Sequence, residues 1–206
     1  MTQGHIFKNR AFKGKMMKKL CVFTGAATGS NPRFAEAAHQ LGQILASRNL
    51  GLVYGGGKSG LMGKIADAVI ASGGHATGII PKFLDGVEIA HRGLTNLHVI
   101  DTMHERKNMM YDLADGFIIM PGGLGTLDEA MEIITWRQLG LHRKPIIIAN
   151  LFGYWDHMLS LFQNIIDEGF MHHGHNGHFE YVNDMDELAD RLDSYFPATH
   201  GATSQI

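Results

Sequence analysis

Cysteine is nearly absent from the chain: Cys21 is the one thiol in 206 residues. A lone cysteine excludes an internal disulfide, and with it the disulfide-framed secreted domains. Long apolar stretches are missing too, since no run approaches the roughly 20 residues of a membrane-spanning helix. Acidic residues are absent from positions 1–19, which hold Lys8, Arg10, Lys13, Lys15, Lys18 and Lys19. With those six set aside from 18 basic residues, 12 face 20 acidic ones, so the body carries −8. That charge argues against a broad nucleic-acid footprint. The basic segment lacks the apolar core of a secretory signal and the serines of a transit peptide. Residues 1–18 therefore read as a disordered tail, 19–196 as one nucleotide-binding catalytic domain, and 197–206 as a C-terminal tail. Met16 and Met17 also allow an internal start. A cytoplasmic location is the expectation, with no membrane and no nucleic-acid partner.

The chain does hold short apolar runs alternating with helical stretches, and 26 glycines, many of them at the ends of those runs. Strands are expected at 20–24, 51–55, 75–80, 97–101, 116–120 and 145–150. Helices are expected from Asn31 as N-cap to about Arg48, from Gly60 to about Ser72, and near His104–Ala114. Others are expected after Gly125, near Trp155–Glu168, and from Asp184 to Tyr195. Runs such as FIIM and IIIA are continuously apolar, the mark of strands buried on both faces of a parallel sheet. The expected fold class is therefore α/β, a Rossmann-like doubly wound parallel sheet flanked by helices. Ligands in such sheets bind beyond the carboxyl ends of the strands, which directs attention to the loops there.

Four of those loops are unusual: TGAATGSNP after the first strand, GGGKSGLMG after the second, MHERK after the fourth, and PGGLGTLDE after the fifth. The second contains Gly55-x-Gly57-x-x-Gly60, the spacing of a dinucleotide fingerprint. It lacks the acidic residue about 20 positions on that would hold a ribose hydroxyl. A turn facing a nucleotide, or glycines that permit a tight turn and close packing, both remain open. The PGGLGT loop is the stronger signal. Gly122, Gly123 and Gly125 let backbone N–H groups converge on an anion at a helix N-terminus, with the Thr126 hydroxyl beside them. Glu129 supports two readings. Thr126-x-x-Glu129 has the spacing of a capping box, and a carboxylate at that place also stands where it can act on a sugar joined to a bound phosphate. Arg106 and Lys107 bring cations to the same edge, either for an anion or for a pairing with a carboxylate such as Glu129. Asp128 and Glu132 read as dipole or surface charges, or as an acidic patch facing a dimer partner.

Taken together, GLVYGGGKSGLMG, LHVIDTMHERK and PGGLGTLDEAMEIITWRQLG resemble the Lonely Guy family over about residues 18–195. These are cytokinin riboside 5′-monophosphate phosphoribohydrolases, often mislabelled lysine decarboxylases. The resemblance implies a homodimer; no cofactor and no metal are expected. It implies hydrolysis of the N-glycosidic bond of a purine nucleoside 5′-monophosphate, of cytokinin or adenosine type, to free base and ribose 5-phosphate. It implies Arg106 and Glu129 as the catalytic pair. Substrate contacts are implied at Glu88, Arg106, Lys107, Gly122, Gly123, Gly125, Thr126 and Thr135, with backbone contacts at Gly25, Gly56 and Gly57. EIAHRGLT after the third strand is similar to bacterial members. Ala26 and Ala27 stand where members often carry hydroxyl residues, which weakens the case for side-chain contacts from the first loop.

Readings from other classes also fit parts of the sequence. A non-catalytic nucleotide or pterin-cofactor carrier would need the phosphate loop without both Arg106 and Glu129. His172, His173, His175 and His178 are a candidate metal cluster, although their glycine-rich setting suits a polar surface loop better. Amino-acid decarboxylation finds no motif for a pyridoxal phosphate site.

Overall fold

The computed structural model describes residues 16–85, 90–171 and 178–197. Glu88, three of the four clustered histidines (His172, His173 and His175), and tail residues 1–15 and 198–206 lie outside the described residues. The described residues hold seven strands: β1 (Lys19–Phe23), β2 (Gly51–Tyr54), β3 (Ala76–Pro81), β4 (Asn96–Ile100), β5 (Gly116–Ile119), β6 (Ile146–Ala149) and β7 (Glu180–Val182). The helices are α1 (Arg33–Ser47), α2 (Gly60–Ala71), α3 (Lys82–Asp85), α4 (Met103–Leu113), α5 (Leu124–Gln138), α6 (Asp156–Asp167) and α7 (Met185–Tyr195). All strand pairings are parallel, in the order β4-β3-β2-β1-β5-β6-β7.

Alternate residues of each central strand enter opposite cores, as the period of two requires. Leu20, Val22, Leu52, Tyr54, Ile118 and Ile147 pack with α1, α2 and α7 on one face. Cys21, Phe23, Val53, Phe117, Ile119, Ile146 and Ile148 pack with α4, α5 and α6 on the other. Both faces are covered, so the strands are apolar throughout.

Two expectations need correction. β7 was not foreseen, because Glu180-Tyr181-Val182 is short, mostly unburied and carries no apolar run. The capping box at Thr126 and Glu129 is absent. Gly123 is the N-cap of α5, and its carbonyl already takes the Leu127 N–H at 3.1 Å. Thr126 and Glu129 are thus the third and sixth residues of the helix, and Glu129 sits past the first turn. The reciprocal capping box belongs instead to α4, between Thr102 and Glu105.

The strand order reverses between β1 and β5. Chain connections leave in opposite directions on either side of this pair and open a crevice at its carboxyl end. Gly25 N–H donates to the Pro121 carbonyl at 3.1 Å and the Thr24 hydroxyl donates to it at 2.9 Å, fixing the two switch-point loops to each other.

Candidate active site

A cleft of about 490 Å³ opens at this switch point. One wall is the loop after β1, from Gly25 to Gly29; another is Gly122, Gly123, Gly125 and Thr126 at the start of α5. Gly55, Leu61 and Met62 come from the β2 side, Arg106 from α4, Glu129 from α5, and Phe34 and Tyr154 complete the lining. That volume falls within the range of small-molecule sites.

Arg106 reaches the cleft from the second turn of α4, and 7% of it is exposed. Its Nη2 donates to the Gly55 carbonyl at 3.3 Å, and its Nη1 lies 3.9 Å from Met103 Sδ. Among the described residues its Nε has no hydrogen-bond partner. Gly55 is required for this placement, since a Cβ there would stand 2.0 Å from Nη2. Glu129 Oε1 lies 3.8 Å from Nη2, with the two side chains 12% and 9% exposed. At that separation the charges couple strongly in a low-dielectric pocket, yet the distance exceeds a hydrogen bond. Cys21, buried beneath the pair, feels both: burial pushes its thiol well up, the Glu129 charge pushes it further, and Arg106 opposes. The thiol is a core group.

At the start of α5 the first N–H groups have no carbonyl four residues back, and the positive end of the helix dipole faces the cleft. A Cβ on Gly123 or Gly125 would meet nothing within 4 Å, so both glycines border open space. The Thr126 hydroxyl packs against Gly122, where a Cβ would lie 2.1 Å from its oxygen.

The N-terminus of α2 is different. The Gly25 carbonyl accepts from Leu61 N–H at 3.1 Å and from Met62 N–H at 3.3 Å. The donors that a dinucleotide pyrophosphate would use are therefore occupied by the protein's own backbone.

Known proteins resemble the chain in sequence and in fold. The family described as "Possible lysine decarboxylase" matches residues 62–192. A cytokinin riboside 5′-monophosphate phosphoribohydrolase of Arabidopsis thaliana is 41% identical over 92% of this chain and 87% of its own length. The chain belongs to the Lonely Guy family. A probable cytokinin riboside 5′-monophosphate phosphoribohydrolase of Oryza sativa is 39% identical over 87% of this chain and 79% of its own. Among solved structures, the molybdenum cofactor binding protein of Rippkaea orientalis superimposes with a TM-score of 0.67 at 20% identity, covering 87% of this chain and 98% of that one. The molybdenum cofactor carrier protein of Chlamydomonas reinhardtii gives 0.66 at 16% over the same shares. Those two likenesses are of fold.

In this Lonely Guy chain the structure gathers some of the residues singled out from the sequence and separates others. Arg106, Glu129, Gly122, Gly123, Gly125, Thr126 and Gly25 line the cleft. Gly25 has both backbone groups committed, the N–H to Pro121 and the carbonyl to α2, so it shapes the wall without a free donor. Gly56 and Gly57 lie off the cleft wall: the Gly56 carbonyl accepts from His91 N–H at 2.9 Å, and Gly57 bridges Ala90. Thr135 is exposed on α5, away from the cleft lining. Lys107 turns from the cleft to Asp128 at 3.3 Å and Glu132 at 3.2 Å. Burial works against its ammonium, but Glu132 and Asp128 outweigh burial and raise its pKa. Sequence reasoning missed Phe34 and Tyr154. Tyr154 follows β6, and the rule of looking beyond strand ends, applied to that loop, would have found it.

Proposed function

We propose that the protein hydrolyses the N-glycosidic bond of purine nucleoside 5′-monophosphates, of cytokinin or adenosine type, releasing the base and ribose 5-phosphate. The observation that carries this reading is the Arg106–Glu129 pair, 3.8 Å apart and shielded, in the same cleft as an open helix N-terminus. The open N-terminus from Gly122 to Thr126 holds the 5′-phosphate through backbone N–H groups. Anchoring the phosphate fixes the ribose, and with it C1′, against Glu129. As the bond from C1′ to the base nitrogen breaks, its electron pair leaves with the base and positive charge develops on the sugar. The Glu129 carboxylate stabilises that charge and takes a proton from the water that adds to C1′; the departing base gains a proton in turn. Arg106, held by Gly55, orients the nucleotide and sets a positive charge 3.8 Å from Glu129. A carrier of nucleotide or pterin would need the helix N-terminus but not this pair.

Incubation with AMP and with N6-isopentenyl-AMP, followed by chromatography, tests the reading. Free base is expected from at least one of them. Glu129→Ala should lower turnover by about 10³-fold or more while nucleotide binding stays measurable. Full activity in that variant would remove Glu129 from the mechanism, and absence of base from both nucleotides would remove the hydrolase.

In this reading the enzyme is one catalytic domain and works as a cytoplasmic homodimer. The lone buried thiol supports a reducing compartment. Light scattering after gel filtration checks the dimer. Lys107, Thr135, Gly56, Gly57 and Glu88 remain candidate substrate contacts within that assembly.

A further inference from the structure

We propose that Tyr154 is a positioning residue that fixes the peptide between Gly122 and Gly123 in the orientation an anion requires. The inference rests on the reading of the Gly122–Thr126 loop as the phosphate holder. The Tyr154 hydroxyl donates to the Gly122 carbonyl at 2.6 Å. This is a single side-chain bond to the one peptide of the loop that is flanked by glycine on both sides. Such a peptide meets little steric resistance to flipping. Because the unit is planar and trans, its carbonyl and the Gly123 N–H point in opposite directions, and a flip exchanges them. A flipped peptide would present an acceptor oxygen where the anion expects a donor. The Tyr154 bond opposes that flip.

The structure around Tyr154 is arranged to hold it. Its ring stands edge-on to Phe34 at 5.3 Å and to Trp155 at 4.7 Å. The turn before it passes through Phe152 at φ 60 and Gly153 at φ 72. A bulky residue at positive φ is strained, and such strain persists only where the surroundings impose it. Here the surroundings are Asn150 and Arg33. The Asn150 side chain accepts from Trp155 N–H at 2.7 Å and donates to Asp156 Oδ1 at 2.8 Å. The Arg33 guanidinium covers the Phe152 ring at 3.6 Å. The strained turn thus delivers one hydroxyl to one carbonyl of the loop on the neighbouring strand.

Tyr154→Phe removes the hydroxyl and keeps the ring with its contacts. Calorimetric titration with ribose 5-phosphate and with adenosine, which has ribose and base but no phosphate, separates the two ends of the ligand. The variant should bind ribose 5-phosphate about five- to tenfold more weakly. It should bind adenosine as the parent does, with an unchanged melting temperature. Unchanged ribose 5-phosphate affinity overturns the proposal. So does an equal loss for adenosine, which would mean that the whole cleft has shifted. Neither ligand needs to be turned over. A parent protein that binds ribose 5-phosphate but cleaves no nucleotide defeats the hydrolase reading and leaves the role of Tyr154 to be judged on the same titration. A parent that binds no ribose 5-phosphate defeats the role of Tyr154, and base release from the nucleotides decides the hydrolase reading separately.

Discussion

After β2 the chain reads GGGKSG, and after β5 it reads PGGLGT; both loops run from the carboxyl end of a strand into a helix. In the first, the space that glycine leaves is filled by the protein. Arg106 occupies the place of a Cβ on Gly55, and the backbone of Ala26 the place of one on Gly60, only 2.2 Å away. The helix donors beyond Gly60 are satisfied by Gly25. In the second, Gly123 and Gly125 have nothing within 4 Å of a Cβ position, and the helix start opens on the cleft. Glycine is thus used for internal close approach in one loop and for ligand access in the other. Pattern alone does not separate these uses, because each demands the same absence of a side chain. What separates them is what stands opposite.

Alanine substitution turns this contrast into two opposite expectations. The largest effect belongs to Gly60→Ala. Gly60 has φ 63, and its new methyl would press on the Ala26 carbonyl. Strain and overpacking together should cost about 3 kcal/mol or more, read as a lowered denaturation midpoint, with activity lost as the loop after β1 is displaced. A stable variant would show that the loop is less filled than its geometry says. Gly125→Ala is the converse. The position is helical and open, so stability should hold or rise by up to about 0.5 kcal/mol. The methyl would enter open space beside the cleft, and ribose 5-phosphate affinity should fall about tenfold. Destabilisation without loss of affinity would erase the distinction between the two loops.

The same contrast explains how far the sequence could be read. Continuous apolar runs such as IIIA at 146–149 pointed to buried parallel strands, because helices cover both faces of a parallel sheet. The open glycine loop was legible because an anion site is built from local backbone. Arg106 and Glu129 were legible as candidates through their motifs, but their 3.8 Å approach depends on the β2 loop making room at Gly55, a contact across 51 positions. Lys107 illustrates the limit. It neighbours Arg106 in sequence, yet helical geometry sends it to Asp128 and Glu132. The start of α5 was misread because Thr-x-x-Glu has capping-box spacing. The actual cap is set three residues before the expected one at Thr126 by the Gly123 carbonyl, which sequence spacing cannot show. Tyr154 was invisible for a related reason: its partner is a carbonyl, and carbonyls leave no signature in a sequence.

The smallest expected effect lies away from both loops and supplies a baseline for them. His142 is buried below the far end of α5. Its Nε2 bonds the Ile133 carbonyl at 2.9 Å, and its Nδ1 accepts from Lys144 N–H at 3.2 Å. One proton, on Nε2, satisfies both bonds; a second would set a donor on Nδ1 against the Lys144 N–H. Burial lowers its pKa, the Ile133 bond opposes, and Arg137 and Lys144 lower it further. The folded value therefore lies below the unfolded one of about 6.5. Between those two values the unfolded chain binds the extra proton, so stability rises with pH there. The contribution is complete above about pH 6.5 and is lost as pH falls through the folded pKa. Melting temperature measured from pH 7.5 down to 5 should decline, and His142→Gln, which keeps a donor for Ile133 without a titrating ring, should flatten that decline. Because both glycine loops lie at the other end of the sheet's strands and helices from this residue, Gly60→Ala and Gly125→Ala should shift the whole curve up or down and leave its slope unchanged. A slope altered by either substitution would mean that the loops and the far end of α5 do not respond independently.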